Sequence, residues 1–266
     1  MLFQFLKKEC YFNSFFIYMY YMYINIFILV FLLSITFVFL FMYKRGAYYQ
    51  NHISHCGKLP KRITSTSTSD SFCGISTFDY TLPCDIRNSL TNISNSDIAK
   101  RVNVYQWKAG KTVSTQQLLK YDSKIINWYI DFANEVSKII GEPVKHTSLD
   151  LPTSCVLLIY DEKDDFINWH FDQNHFEGRF FTVLIPISED ITCTKYLFKD
   201  ANEEIQTIDH NEGNIIFEGS KVFHMASKLC DNQKRVVLSL QYVTDDNISL
   251  YNSLLMKIKD MAYTGF

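Results

Sequence analysis

The sequence lacks an excess of charge of either sign. Its 26 basic and 28 acidic residues give a formal net charge of −2 and a pI near 6.4. The sequence therefore has no excess of basic residues that would attract nucleic-acid phosphates over a long range. The sequence also lacks any C-x-x-C pair, so zinc-ribbon and thioredoxin-like interpretations have no support. The seven scattered cysteines are expected to be mostly free or buried thiols.

Charged residues are also missing between Glu9 and Lys44. The most apolar part, residues 24–41, approaches the roughly 20 residues that cross a bilayer, and flanking tyrosines suit both membrane interfaces. We interpret residues 1–43 as an N-terminal tail with a single-pass transmembrane anchor. A cleaved signal peptide is disfavoured because no small-x-small site follows, and a buried core helix is the other alternative. Basic residues near the two ends favour a cytoplasmic domain, with the lumenal side left open.

A low-complexity stretch follows the anchor. Residues 63–71 are almost entirely Ser and Thr, and they cannot bury enough apolar surface to offset the entropy of ordering. We therefore predict a tether over residues 44–95 and one folded domain over residues 96–266.

Within that domain the apolar periodicity changes from helical to alternating. Residues 114–140 predict one helix, which Ser114 or Thr115 can cap and Gly141 can end. Eight short strands follow, and a final apolar pattern from Ile248 to Ile258 predicts a short helix. The fold class is therefore mainly β, a double-stranded β-helix (jelly roll) with supporting helices. The predicted strands are Cys155–Tyr160, Phe166–Phe171, Phe180–Ile187, Lys195–Phe198, Glu204–Ile208, Asn214–Phe217, Val222–Ser227 and Val236–Val243.

Three residues in this region have the pattern of metal ligands. His170 and Asp172 are two apart, so in a strand both project to the same face. Inside a jelly roll an isolated ionised Asp is costly, whereas a metal with neutral imidazoles removes that cost. His224 opens the penultimate strand and supplies the second imidazole. Two imidazoles and one carboxylate can occupy one face of an octahedral Fe(II), leaving three positions for a chelating substrate and dioxygen.

Arg235 lies on the inward face of the last predicted strand. A lone inward guanidinium requires an anionic partner, and a dicarboxylate ligand is one candidate. The alternative is an ion pair with an internal acid such as Asp209 or Glu218.

Together these residues resemble the iron and co-substrate motif of the Fe(II)/2-oxoglutarate-dependent dioxygenase superfamily, most closely its prolyl 4-hydroxylase-like branch. The resemblance covers roughly residues 100–245. It implies that His170, Asp172 and His224 bind Fe(II), and that Arg235 holds the distal carboxylate of 2-oxoglutarate. It also implies dioxygen as the second co-substrate and allows ascorbate as a reductant.

Tyr160 matches a tyrosine that such enzymes often carry on the preceding strand, where its hydroxyl meets the co-substrate; core packing is the alternative. The sequence also departs from family patterns. Arg235 stands where collagen-type prolyl hydroxylases usually have Lys. The Arg-x-Ser pair of the plant small-molecule enzymes and the further downstream Arg of the nucleic-acid demethylases are missing.

The resemblance implies a membrane-tethered hydroxylase that converts 2-oxoglutarate to succinate while oxidising a C–H bond. The substrate would be a protein side chain, such as proline, or a small molecule. Asn174 and Arg179, just beyond Asp172, lie where a substrate could approach, although loop residues are more often simply solvated. The alternative functions are an inactive jelly-roll binding module that keeps its metal, and a membrane scaffold without metal.

Overall fold

The computed structural model describes residues 20–37, 40, 74–104, 106–188, 193–199, 204–209, 213–248 and 252–253. The chain divides into two units, Met1–Asn51 and His52–Phe266. In the first unit, helix α1 spans Tyr20–Phe37 and overlaps the predicted span. By length and composition α1 is apolar enough to cross a membrane, and none of its side chains is buried. Signal sequences and core helices can share that length and composition.

The second unit is built on a curled antiparallel sheet, so the predicted mainly β jelly roll is confirmed. The strand order is β1-β10-β7-β12-β5-β3-β6-β11-β8-β9, with β2 paired to β3 and β4 paired to β12. The described strands are β1 (Ile75–Phe78), β2 (Lys100–Val104), β3 (Lys108–Val113), β4 (Lys145–His146), β5 (Cys155–Tyr160), β6 (Phe166–His170), β7 (Phe180–Pro186), β8 (Lys195–Lys199), β9 (Ile205–Asp209), β10 (Asn214–Glu218), β11 (His224–Ala226) and β12 (Arg235–Val243).

The helical stripe over residues 114–140 forms two helices instead of the single helix predicted. Helix α3 spans Thr115–Tyr121 and helix α4 spans Ser123–Ile140. Ser114 caps α3 in a capping box with Gln117, and Gly141 ends α4 at φ 82°, both as predicted. Asp122 separates the helices because its extended backbone lets the carboxylate accept a hydrogen bond from the Lys124 N–H at 3.0 Å.

The predicted tether boundary at residue 95 is too late. Strand β1 pairs with β10, and helix α2 (Cys84–Ser94) buries Ile86, Leu90 and Ile93 in the main core. These residues recur at helical spacing and bury enough apolar surface for ordering. The folded part therefore includes residues 74–95, while residues 44–73 lie outside the described residues.

Two further expectations concern the cysteines and the C-terminus. Cys193 and Cys230 form a disulfide, so the expectation of free or buried thiols is wrong for these two cysteines. Among the other described cysteines, Cys155 is a buried free thiol and Cys84 an exposed one. Most of the predicted C-terminal helix lies outside the described residues; its first residue, Ile248, forms a bridge with Phe176.

Candidate metal and co-substrate site

The structure brings the three predicted metal ligands together. His170 ends β6 and His224 begins β11, and the two residues are register partners in this antiparallel pair. Asp172 Oδ1 lies 3.6 Å from His170 Nε2 and 3.9 Å from His224 Nε2. The ligand atoms of all three lie within 4.8 Å of one another, close enough to hold one metal ion.

Hydrogen bonds orient both imidazoles for this role. His170 Nδ1 lies 2.7 Å from the Asn168 carbonyl oxygen, and His224 Nδ1 lies 2.9 Å from the Val222 carbonyl oxygen. A carbonyl oxygen only accepts, so each Nδ1 carries the proton and donates. Each Nε2 therefore presents its lone pair to the space shared with Asp172, the arrangement that metal-binding histidines need.

The electrostatics keep these groups in the protonation states that bind a cation. Burial and the neighbouring His170 lower the pKa of His224 to about 4, although Asp172 and the Val222 carbonyl act in the opposite direction. Burial by itself raises the pKa of Asp172. The neighbouring His170 and His224 and the hydrogen bond from Thr182 together outweigh burial, so the pKa of Asp172 lies below its ordinary value. A neutral imidazole and an ionised carboxylate result near neutral pH.

Arg235 is the first residue of β12 and is fully buried. Its Cζ lies 3.7 Å from the ring centroid of Tyr160, its register partner on β5, and 5.8 Å from that of Tyr196. None of its three guanidinium nitrogens has a hydrogen-bond partner among the described residues. A buried cation in this state is costly unless an anion joins it.

The internal acids that could have neutralised Arg235 are engaged elsewhere. Glu218 accepts from Arg179 Nε at 2.7 Å and pairs with Lys221 Nζ at 2.9 Å. Asp209 lies 3.5 Å from Lys195 Nζ. The alternative of an ion pair between Arg235 and either acid is therefore wrong.

One cavity of about 80 Å³ contains both the ligand cluster and the unpaired guanidinium. The interior faces of Val237, Ser239 and Gln241 line it together with Arg235, as the strand alternation predicts. Its remaining walls are mostly apolar, a composition that keeps water away from charged ligands. These walls are Leu158, Tyr160, Ile167, Leu184, Tyr196, Phe198, Phe217, Met225 and Ala226, with the polar Thr182 beside Asp172.

Tyr160 lines this cavity, but its ring also packs against Arg235. Burial raises the pKa of Tyr160 more than the nearby guanidinium lowers it, so the hydroxyl keeps its proton near neutral pH. A protonated hydroxyl can donate to a ligand oxygen. Its contact with a co-substrate stays a prediction.

The loop after Asp172 is held by contacts within the protein. Asn174 Nδ2 donates to the Gly178 carbonyl, and Asn174 Oδ1 accepts from the Phe176 N–H. Arg179 pairs with both Glu142 and Glu218. The role of Asn174 and Arg179 in substrate recognition stays a prediction.

The sequence analysis did not predict two residues that contact Asp172 beside the ligand cluster. Thr182 on β7 donates to Asp172 Oδ2 at 2.5 Å, and the Gly219 carbonyl accepts from the Asp172 N–H at 2.9 Å. Thr182 shares the inward face of β7 with Leu184, so strand alternation could have marked it as a buried hydroxyl needing a partner.

No protein-family model matches the sequence, and a search of curated proteins finds no match. Solved structures do match in fold. A prolyl-4-hydroxylase from Pseudomonas putida aligns with a TM-score of 0.50 at 12% identity, covering 66% of this chain and 94% of that chain. An oxidoreductase of the 2OG-Fe(II) oxygenase family from Burkholderia pseudomallei aligns with a TM-score of 0.52 at 12% identity, covering 66% and 88%.

The epimerase SnoN, solved with Fe³⁺, alpha ketoglutarate and nogalamycin RO, aligns with a TM-score of 0.50 at 12% identity, covering 64% of this chain and 79% of that chain. The fold of this chain is therefore that of the 2-oxoglutarate-Fe(II) oxygenases, prolyl 4-hydroxylase included. The reactions of these neighbours differ, so the fold alone does not fix the chemistry.

Proposed function

We propose that this protein is an Fe(II)- and 2-oxoglutarate-dependent dioxygenase that hydroxylates a C–H bond. His170, Asp172 and His224 would bind the ferrous ion, and Arg235 would bind the distal carboxylate of 2-oxoglutarate. The observation that carries the proposal is the buried, unpaired guanidinium in the same cavity as the three ligand side chains. A structural metal requires no such cation.

The donor set fits the proposed metal. Two neutral imidazoles and one carboxylate on one side of an ion are the ligands of non-haem Fe(II) oxygenases, and they leave positions open for other ligands. Bound iron and 2-oxoglutarate would supply dioxygen activation coupled to decarboxylation of 2-oxoglutarate to succinate. Ascorbate would serve as a reductant of the metal.

The protein's own contribution would be binding, orientation and the exclusion of water. Arg235 would fix the far end of the co-substrate with paired N–H donors. The Tyr160 hydroxyl would donate to one of its oxygens. The apolar walls around Leu184 and Val237 would strengthen these charged contacts by keeping the cavity dry.

We further propose that α1 anchors the domain to a membrane and confines its substrates to those reaching that surface. The substrate would be a protein side chain, such as a prolyl residue, or a small molecule. Asn174 and Arg179 would border its approach, next to Asp172.

The test uses the full chain in detergent. Calorimetry without oxygen measures the binding of Fe(II) and 2-oxoglutarate, and mass spectrometry measures succinate after oxygen is admitted. The wild type is expected to bind both and form succinate with a panel of peptide and small-molecule substrates. His170→Ala should lose metal and turnover, whereas Lys163→Ala, at an exposed ion pair with Asp231, should keep both.

The same assay separates the alternatives. Binding of Fe(II) and 2-oxoglutarate without succinate across the panel would favour an inactive binding module. A wild-type protein that binds no metal would overturn the proposal and favour a scaffold.

A further inference from the structure

Asp172 is held by one of its two carboxylate oxygens. Thr182 is 3% exposed, and its hydroxyl donates to Asp172 Oδ2 at 2.5 Å. The other oxygen, Oδ1, is the one nearest the Nε2 atoms of His170 and His224. The two oxygens therefore have different surroundings, one facing a hydroxyl and the other facing the imidazoles.

Gly219 packs against the same carboxylate oxygen, next to the Thr182 hydroxyl. A Cβ atom at Gly219 would lie 2.6 Å from Asp172 Oδ2 and 2.7 Å from Thr182 Oγ1, closer than real Cβ contacts. The same residue accepts the Asp172 N–H through its carbonyl at 2.9 Å. The turn after β10 can approach this closely only because Gly219 has no side chain.

We propose that Thr182 and Gly219 are positioning residues that make Asp172 a one-oxygen metal ligand. Thr182 would keep Oδ2 occupied and Gly219 would prevent the carboxylate from rotating, so that only Oδ1 reaches the ion. A bidentate carboxylate would take one of the positions that the co-substrate and dioxygen require. This inference rests on the proposed function, because it concerns the same metal site.

The test measures binding of Co(II), a spectroscopic stand-in for Fe(II), to the metal-free full chain. Thr182→Val removes the hydroxyl at nearly constant shape. It should weaken Co(II) binding about 10- to 100-fold, the usual effect of losing a partner that orients a ligand. It should also change the visible Co(II) spectrum, because Oδ2 becomes free to coordinate. Thr182→Ser restores the donor and should bind within about threefold of wild type, well inside the loss expected for the valine variant.

Thr194→Val is the matched control. Thr194 is also a buried threonine and directly precedes β8, but its hydroxyl has no hydrogen-bond partner among the described residues. Its valine variant should match the wild-type Co(II) affinity and spectrum. If Thr182→Val fails to fold, Gly219→Ala tests the same idea, since the added methyl displaces the Asp172 carboxylate.

The outcomes separate this inference from the proposed function. Wild type that binds no Co(II) would refute the metal site itself. The wild type could bind Co(II) while Thr182→Val or Gly219→Ala shows the same affinity and spectrum. That result would overturn the positioning role and leave the metal site standing.

A second inference comes from the disulfide. Cys193 precedes β8, Cys230 lies between β11 and β12, and both side chains are exposed. The Cys193 N–H also donates to Gln233 Oε1 at 2.8 Å, so the two segments are joined by more than the sulfur bridge. Exposed structural disulfides persist in oxidising compartments and are rare in the cytosol.

We infer that the β-sheet domain lies on the oxidising side of its membrane, opposite to the side favoured by the basic residues flanking the apolar segment. Two N-x-S sequences, at Asn92 on α2 and at Asn247 after β12, have exposed asparagines. On that side of the membrane both are accessible acceptors for N-linked glycans.

Expression of the full chain with a C-terminal tag in eukaryotic cells tests this topology. The tagged domain should resist protease in intact microsomes and be digested after detergent, and its glycosidase-sensitive mass shift should shrink in Asn92→Gln or Asn247→Gln. Digestion in intact microsomes would overturn the topology. A protected domain without the mass shift would overturn the glycan sites.

Discussion

His224 is the register partner of His170 across the antiparallel pair of β11 and β6, and their ring centroids lie 4.2 Å apart. Backbone pairing thus fixes the distance between two imidazoles that are far apart in sequence. Because side chains alternate along a strand, a slip of one residue would turn one imidazole to the opposite face of the sheet. The register of these two strands is therefore a condition for the proposed metal site.

We expect Arg235→Met to separate stability from ligand binding. The substitution removes a buried cation without a partner, so the free energy of unfolding without ligand should stay the same or rise by about 1–4 kcal/mol. Affinity for 2-oxoglutarate should fall by at least about tenfold, since a charged hydrogen-bonded contact is lost. Denaturant unfolding and calorimetry measure the two effects. A large loss of stability would show that the guanidinium already has an anionic partner.

Acid should destabilise the metal-free protein through His224. Its pKa is about 4 in the folded state against an ordinary 6.5, so between these values the unfolded chain binds the proton and the folded chain does not. This stabilisation is complete above pH 6.5 and is lost as the pH falls through 4. The loss amounts to roughly 3 kcal/mol. Urea unfolding with chelator from pH 7 to pH 4 measures it, and His224→Asn should remove that part of the slope.

Opening the disulfide should lower stability without destroying the ligand cluster. The bridge spans a sequence separation of 37 residues that includes β8 to β11, so it restricts the unfolded chain. By chain entropy its loss costs up to about 4 kcal/mol. Cys193→Ser with Cys230→Ser should therefore lower the melting temperature, and added reductant should lower it only in the wild type. Equal sensitivity of both proteins to reductant would contradict the bridge.

Gly178→Ala should disturb the loop beside Asp172. A Cβ at this position would lie 2.2 Å from the Asp245 backbone nitrogen, so the loop or the segment after β12 must move. We expect a destabilisation of about 1–3 kcal/mol together with weaker metal binding. Gly141→Ala is the comparison: its Cβ meets nothing within 4 Å, and only its positive φ costs about 1–2 kcal/mol. Metal affinity should be unchanged in that variant.

The sequence predicted the strands around the site well because each has a strong local pattern. Strand β5 begins and ends as predicted, and β12 differs by one residue. The two-residue spacing of His170 and Asp172 then fixed a shared face, and His224 and Arg235 followed from strand order. Local alternation and turn residues were sufficient for this half of the fold.

The elements that were missed have weaker or non-local signals. The hairpin of β2 and β3 is rich in Lys and only partly buried, so alternation alone did not reveal it. Strand β1 has only four residues, and its partner β10 lies far along the chain. The pairing of Cys193 with Cys230, and the contact of Thr182 with Asp172, depend on how distant strands meet. Pairwise contacts of this kind leave no periodic trace in one sequence.

The unpaired guanidinium of Arg235 also has a practical consequence for handling the protein. A buried cation with vacant N–H donors will bind whichever small anion reaches it, so sulfate, phosphate or citrate in a purification buffer would compete with the natural ligand. Weak binding measured in such solutions would reflect the salt and not the protein. Preparations in chloride at low ionic strength should reveal the intrinsic affinity.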